Sequence, residues 1–138
     1  AIRQMDLDNC VSFFDEIVRQ YATSTEQQSF DTLARTAQRS IDSNDVDFDN
    51  ILDNLRTKNT QILFKQDWFI IDWYQDATAS SANYLDKNKF INLKRRGDQA
   101  LADDNIDQLK KILIELLSIQ INTDSGERMY DIANIVKG

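Results

Sequence analysis

Ile62-Leu63-Phe64-Lys65-Gln66-Asp67-Trp68-Phe69-Ile70-Ile71-Asp72-Trp73-Tyr74 opens the most apolar region of the chain, which extends to Tyr84. Its reading decides the fold. A run this dense suits either a buried strand or a helix buried on most sides. A strand needs partners, and no second run of β type exists to pair with it. The region is therefore expected to be helical. Lys65-Gln66-Asp67 reads as a short polar link with an N-cap that divides it into two pieces. No proline and only three glycines (Gly97, Gly126, Gly138) occur in 138 residues. That is too few for the many tight turns of an all-β fold.

Helical spacing continues on both sides. Toward the N-terminus, Cys10, Val11, Phe14, Ile17, Val18 and Tyr21 recur every three or four residues over about Ile2 to Tyr21. Ser24 and Gln27 form an S-x-x-Q capping box for a second helix carrying Phe30, Leu33, Ala34, Ala37 and Ile41. Asp42-Ser43-Asn44-Asp45 breaks it. A third helix with Phe48, Ile51, Leu52 and Leu55 follows, capped by Asn44, Asp45 or Asp47. Toward the C-terminus, one helix takes Phe90, Ile91, Leu93, Ala100 and Leu101. Gly97 lies within it, where glycine costs about 1 kcal/mol relative to alanine unless it permits a close approach or marks an end. Asp103-Asp104-Asn105 ends that helix and caps the next, whose stripe is Ile106, Leu109, Ile112, Leu113, Leu116 and Leu117. After the loop Asn122 to Gly126, Met129, Ile132, Ala133, Ile135 and Val136 suggest a last helix. The expected fold is all-α, an antiparallel bundle of about six to seven helices with short polar links. Its core is expected from Phe14, Ile17, Leu33, Leu52, Trp68, Ile71, Leu109, Leu113, Leu116 and Ile132.

The length fits a single domain over residues 1–138. The formal charge of −7 is unevenly placed. Residues 1–53 hold 11 acidic and 4 basic side chains, whereas residues 54–138 hold 12 of each. Zero histidine excludes Ser-His-Asp and Cys-His triads and histidine-ligated zinc. The single cysteine, Cys10, excludes an internal disulfide and thiolate clusters, and suits a reducing compartment, so a cytoplasmic location is expected. No Gly-rich phosphate loop can be built. No stretch approaches the roughly 18 apolar residues of a membrane span, and no signal peptide is evident. Opening on Ala1 in mid-helix, the chain reads as a fragment of a longer polypeptide.

Three constellations have functional readings. Asp45, Asp47 and Asp49 match positions 1, 3 and 5 of a calcium loop, but position 6 is Asn50 and position 12 is Arg56. With Asp42 and Asp53, these residues read instead as helix caps and first-turn carboxylates. No metal or cofactor is expected. Lys87, Lys89, Lys94, Arg95 and Arg96 form a basic run in an acidic chain, which disfavours nucleic acid and suits a solvated face or electrostatic pairing, inside the molecule or with a neighbouring domain, with the acidic first third. Trp68, Phe69, Trp73 and Tyr74 fall at helical spacing, as core aromatics do. An exposed subset, Trp73 or Tyr74, would serve as a protein-binding anchor. The candidate protein-binding residues are thus Trp68, Trp73, Tyr74, Lys94, Arg95 and Arg96. Catalytic residues are absent from the reading.

Lys65 to Trp73 resembles a Q-x-W-F-v-x-x-[WF] element. Leu93 to Leu101, continued by Asp104-Asn105-Ile106-Asp107-Gln108-Leu109, resembles G-x-x-A-L-x-x-G-D-x-x-x-L, with Asp103-Asp104 or Asn105 standing where the motif has its second glycine. With Leu113 to Ile119 and Ala133 to Gly138, these stretches resemble the C-terminal helical region of bacterial DnaK-like proteins, relatives of the seventy-kilodalton heat-shock chaperones. The resemblance covers residues 62–138, beside acidic N-terminal helices over 1–61. It implies a non-enzymatic accessory domain that contacts client, co-chaperone or an upstream ATPase domain. Residues 92–117 also resemble one tetratricopeptide-type helix pair, which would suit a free-standing adaptor. A carboxylate metal-binding bundle is the third reading.

Overall fold

A computed structural model describes residues 2–121. The expected last helix, with Ile132, lies outside the described residues, as does the loop before it. The fold is all-α, with six α-helices among the described residues: α1 Ile2–Phe13, α2 Ser24–Asp42, α3 Phe48–Leu63, α4 Asp67–Ala77, α5 Lys87–Ala102 and α6 Ile106–Ser118. The only extended pairing among the described residues is an isolated antiparallel bridge between Tyr84 and Gln120. The chain divides into two compact units, Ala1–Leu63 and Phe64–Gly138.

In the first unit, α1, α2 and α3 pack on one another. The amides of Gln4 and Gln38 exchange hydrogen bonds at 2.9 Å, and Phe14 stacks on Phe30 at 3.9 Å with rings 6° apart. These pairs run in opposite chain directions, so α1 and α2 are antiparallel. α1 continues into a π-turn, Phe14–Val18, and a 3₁₀ turn, Arg19–Tyr21. The wider turn keeps both Phe14 and Val18 fully buried. It also carries Ile17 outward to 40% exposure, correcting its expected place in the core. Leu33 is only half-buried, on the flank of the Phe30–Ala37 face. Leu52 is buried as expected.

Local sequence explains the helix ends. The capping box of α2 falls one residue before the expected one. Thr23 Oγ1 accepts from the Glu26 N–H at 3.1 Å, and Glu26 Oε1 accepts from the Thr23 N–H at 2.9 Å. Glutamate also suits the positive helix end better than Gln27 does. Asn44 ends α2 and Asp104 ends α5 at φ 55°, each with the N–H of the following residue returning to the carbonyl five residues back. The break before α4 lies where Lys65 to Asp67 placed it, with Gln66 at the cap position.

In the second unit, α6 packs against both α4 and α5. Its stripe of Leu109, Ile112, Leu113, Leu116 and Leu117 is buried to 1% exposure or less. Each such side chain stabilises by roughly 1.5–3 kcal/mol relative to exposure. α4 contributes Ile70, Tyr74 and Ala77 to the core. The 4,3 spacing of that face turns Trp68 outward, 40% exposed, and leaves Ile71 half-buried, so neither is the core residue expected. Tyr84, fully buried, stacks on Phe90 at 4.4 Å and donates its hydroxyl to the Ala77 carbonyl at 2.7 Å.

Candidate functional site

The aromatic residues of α4 form a ladder that climbs out of the core. Phe64, buried, meets the edge of Trp73 at 6.2 Å between ring centroids. Trp73 meets Phe69 at 5.5 Å, and Phe69 meets Trp68 at 5.8 Å. Trp73 and Phe69 are half-buried against the core cluster, and Trp68 is the exposed rung. Edge-to-face contacts of this kind hold the rings in fixed orientations. Trp68 is therefore presented on a rigid support, which lowers the ordering cost of any contact it makes.

Tyr74 is 1% exposed, which corrects its expected role as a surface anchor. Its ring lies on Gly97, where a Cβ would overlap Tyr74 ring and hydroxyl atoms. The close approach accounts for a glycine inside α5. The Tyr74 hydroxyl lies 2.8 Å from the Lys94 carbonyl and 2.9 Å from Asp98 Oδ1. Its single proton serves one of these acceptors at a time. Burial first, then the bonded Asp98 carboxylate, push the Tyr74 hydroxyl well above the ordinary tyrosine pKa. For Asp98, partial burial pushes upward, but bonds from Lys94 Nζ at 2.8 Å and from Tyr74 prevail and hold it below the ordinary aspartate value.

The basic run does not form one patch. Lys94 is tied to Asp98, and Arg96 reaches across to Glu115 on α6 at 4.0 Å. Arg95 points outward and donates to Asn92 Oδ1 at 2.9 Å. A shallow cleft of about 490 Å³ on the outer side of α5 is lined by Ile91, Lys94, Arg95, Asp98 and Gln99. Ile91 is 61% exposed there. Ile91 is expected on the apolar face with Phe90 and Leu93; its offset from Phe90, Leu93, Gly97 and Ala100 is the signal that it faces away.

A second cleft, about 310 Å³, lies between α1 and α3. Cys10 and Asn59 line it, both buried, with Asn59 Nδ2 3.6 Å from Cys10 Sγ. Burial raises the thiol pKa of the packed Cys10, and Arg56 and Asn59 offset this only in part. In the sequence a polar Asn59 amid Leu55 and Ile62 reads as a helix flank, and only the structure shows it buried. Among the described residues no three acidic or cysteine side chains converge to hold a metal. Asp42, Asp45, Asp47, Asp49 and Asp53 are all exposed. The Asp45 carboxylate accepts from the Asp47 N–H at 3.1 Å, as a turn-forming residue does.

No helix among the described residues is long and apolar enough to cross a membrane. No protein-family model matches this chain, and no curated protein or solved structure is detectably similar to it.

Proposed function

We propose that the chain is a non-catalytic accessory domain of a DnaK-like molecular chaperone, and that it acts by contacting other proteins: client, co-chaperone or ATPase domain. The observation that carries this reading is the structural use made of the motif Gly97-x-x-Ala100-Leu101-x-x-Asp104-Asn105-x-x-x-Leu109. Gly97 admits the Tyr74 ring, and Ala100 is buried at 4% exposure. Asp104 takes the φ of 55° that suits the motif's glycine. Asn105 Oδ1 caps α6 through the Gln108 N–H at 3.2 Å, and Leu109 is fully buried. These local roles support the reading. The exposed Trp68, backed by its ladder, supplies an aromatic anchor of the kind that dominates protein interfaces. The α5–α6 helix pair, closed by the turn at Asp103 to Asn105, also suits a free-standing adaptor of tetratricopeptide type, as the second reading.

Binding of the labelled chain to an unfolded client polypeptide and to a DnaK-type ATPase domain tests the first reading. One of the two should bind, and Trp68→Ala should weaken it by about tenfold or more without lowering the melting temperature. Absence of binding to both removes the chaperone reading. Binding to short folded-protein termini instead would favour the adaptor.

A further inference from the structure

Two exposed surfaces of this chain are complementary in charge, and each is centred on an apolar residue. On α5, five basic side chains stand against one acidic, Asp98. Lys87, Lys94 and Arg95 lie four residues before, three after and four after Ile91, so all three share its face. Among the described residues, Lys87 and Arg95 have no carboxylate partner; Lys87 Nζ bonds the Ser81 carbonyl and Arg95 bonds Asn92. Ile91 is therefore an exposed anchor with Lys87, Lys94 and Arg95 on its face, and with Asp98, paired to Lys94, as the one carboxylate in its cleft.

The link between α2 and α3, with the helix ends that flank it, is the counterpart. Residues 42–53 hold five aspartates and no lysine or arginine. Val46, 84% exposed, stands between Asp45 and Asp47. Asp47, Asp49 and Asp53 make no ion pair among the described residues. The link is braced: the Asp45 carboxylate holds the Asp47 N–H, and the Asp45 carbonyl accepts from Arg3 Nη1 at 3.1 Å. A braced loop loses little freedom on docking.

We propose that the acidic link of one copy docks on the α5 face of a second copy, with Val46 meeting Ile91 and aspartates meeting Lys87, Lys94 and Arg95. Every copy carries both halves, so each offers its link to one copy and its α5 face to another, and copies of the chain associate. Each contact is small and built on exposed charges, so the association is weak and falls with salt. It is independent of the chaperone reading.

Sedimentation equilibrium of the full chain tests the pairing. At high protein concentration and about 0.02 M salt the average mass should exceed the monomer, and at about 0.5 M salt it should return to it. Arg95→Glu alone and Asp47→Lys alone should each be monomeric at low salt while keeping the helical circular dichroism of the parent chain. An equimolar mixture of the two variants should associate again, because the unaltered surfaces pair and so do the exchanged ones. A monomer at both salt concentrations, or single variants that associate like the parent chain, overturns the proposal.

Discussion

Gly97 shows how much one missing methyl group can organise. Alanine there would favour the helix by about 1 kcal/mol. The added Cβ, however, would overlap the buried Tyr74 ring. Overpacking of this kind costs about 1–3 kcal/mol, so Gly97→Ala should lower the melting temperature despite the helical gain. A thermal melt followed by circular dichroism measures the balance. Tyr74 adds a pH dependence. Burial and Asp98 raise its pKa, and burial chiefly raises that of Tyr84. The unfolded chain then releases these protons near pH 10 while the folded chain retains them. Their contribution is complete below about pH 10 and is lost as pH climbs toward the folded values. Denaturant midpoints should therefore fall above about pH 10, and less steeply in Tyr74→Phe. A midpoint that ignores pH in that range would contradict the buried hydroxyls.

At the scale of elements, ends and faces follow different rules. Helix ends depend on residues within a few positions, so most were legible: the break before α4, the stop at Asp103 to Asn105 and the start of α6. The capping box was displaced by one residue, because Thr23-x-x-Glu26 and Ser24-x-x-Gln27 satisfy the same pattern and only the backbone chooses. Thr23→Ala should cost about 0.5–2 kcal/mol, measured by chemical denaturation, and Ser24→Ala much less. Asp104, held at φ 55°, offers a test in both directions. Asp104→Gly should raise stability and Asp104→Val lower it, each by about 1 kcal/mol. Faces were less legible. Ile17 shares the α-helical spacing of Phe14 and Val18, but the π-turn rotates it out. That turn depends on packing against α2 and α3, which no local pattern encodes. Trp68 and Tyr74 exchanged roles for a related reason. Both are aromatic and six residues apart, and only the placement of α5 and α6 against α4 decides which is buried.

At the scale of the molecule, the buried cluster from Phe64 to Leu117 contains no residue of the first unit. Damage to one core should therefore register mainly in its own unit. Phe30→Ala removes the partner that stacks on Phe14 and should cost about 3–5 kcal/mol. Hydrogen exchange should report lost protection across α1, α2 and α3, with α4, α5 and α6 largely retaining theirs. Equal loss in both sets would show that the units unfold together. Charge follows the same division: residues 1–63 hold 11 acidic against 6 basic side chains, and residues 64–138 hold 12 against 10. The sequence by itself determined the helical class, the helix breaks, the absence of histidine chemistry and the acidic bias of the first part. These are matters of composition and of spacing over a few residues. Only the tertiary structure decided that Tyr74 is a core residue over Gly97, that Trp68 is the exposed rung of the ladder, and that Ile91 and Val46 face outward among opposite charges. Those outcomes depend on which helix covers which face, and that is set by contacts between residues far apart in the chain.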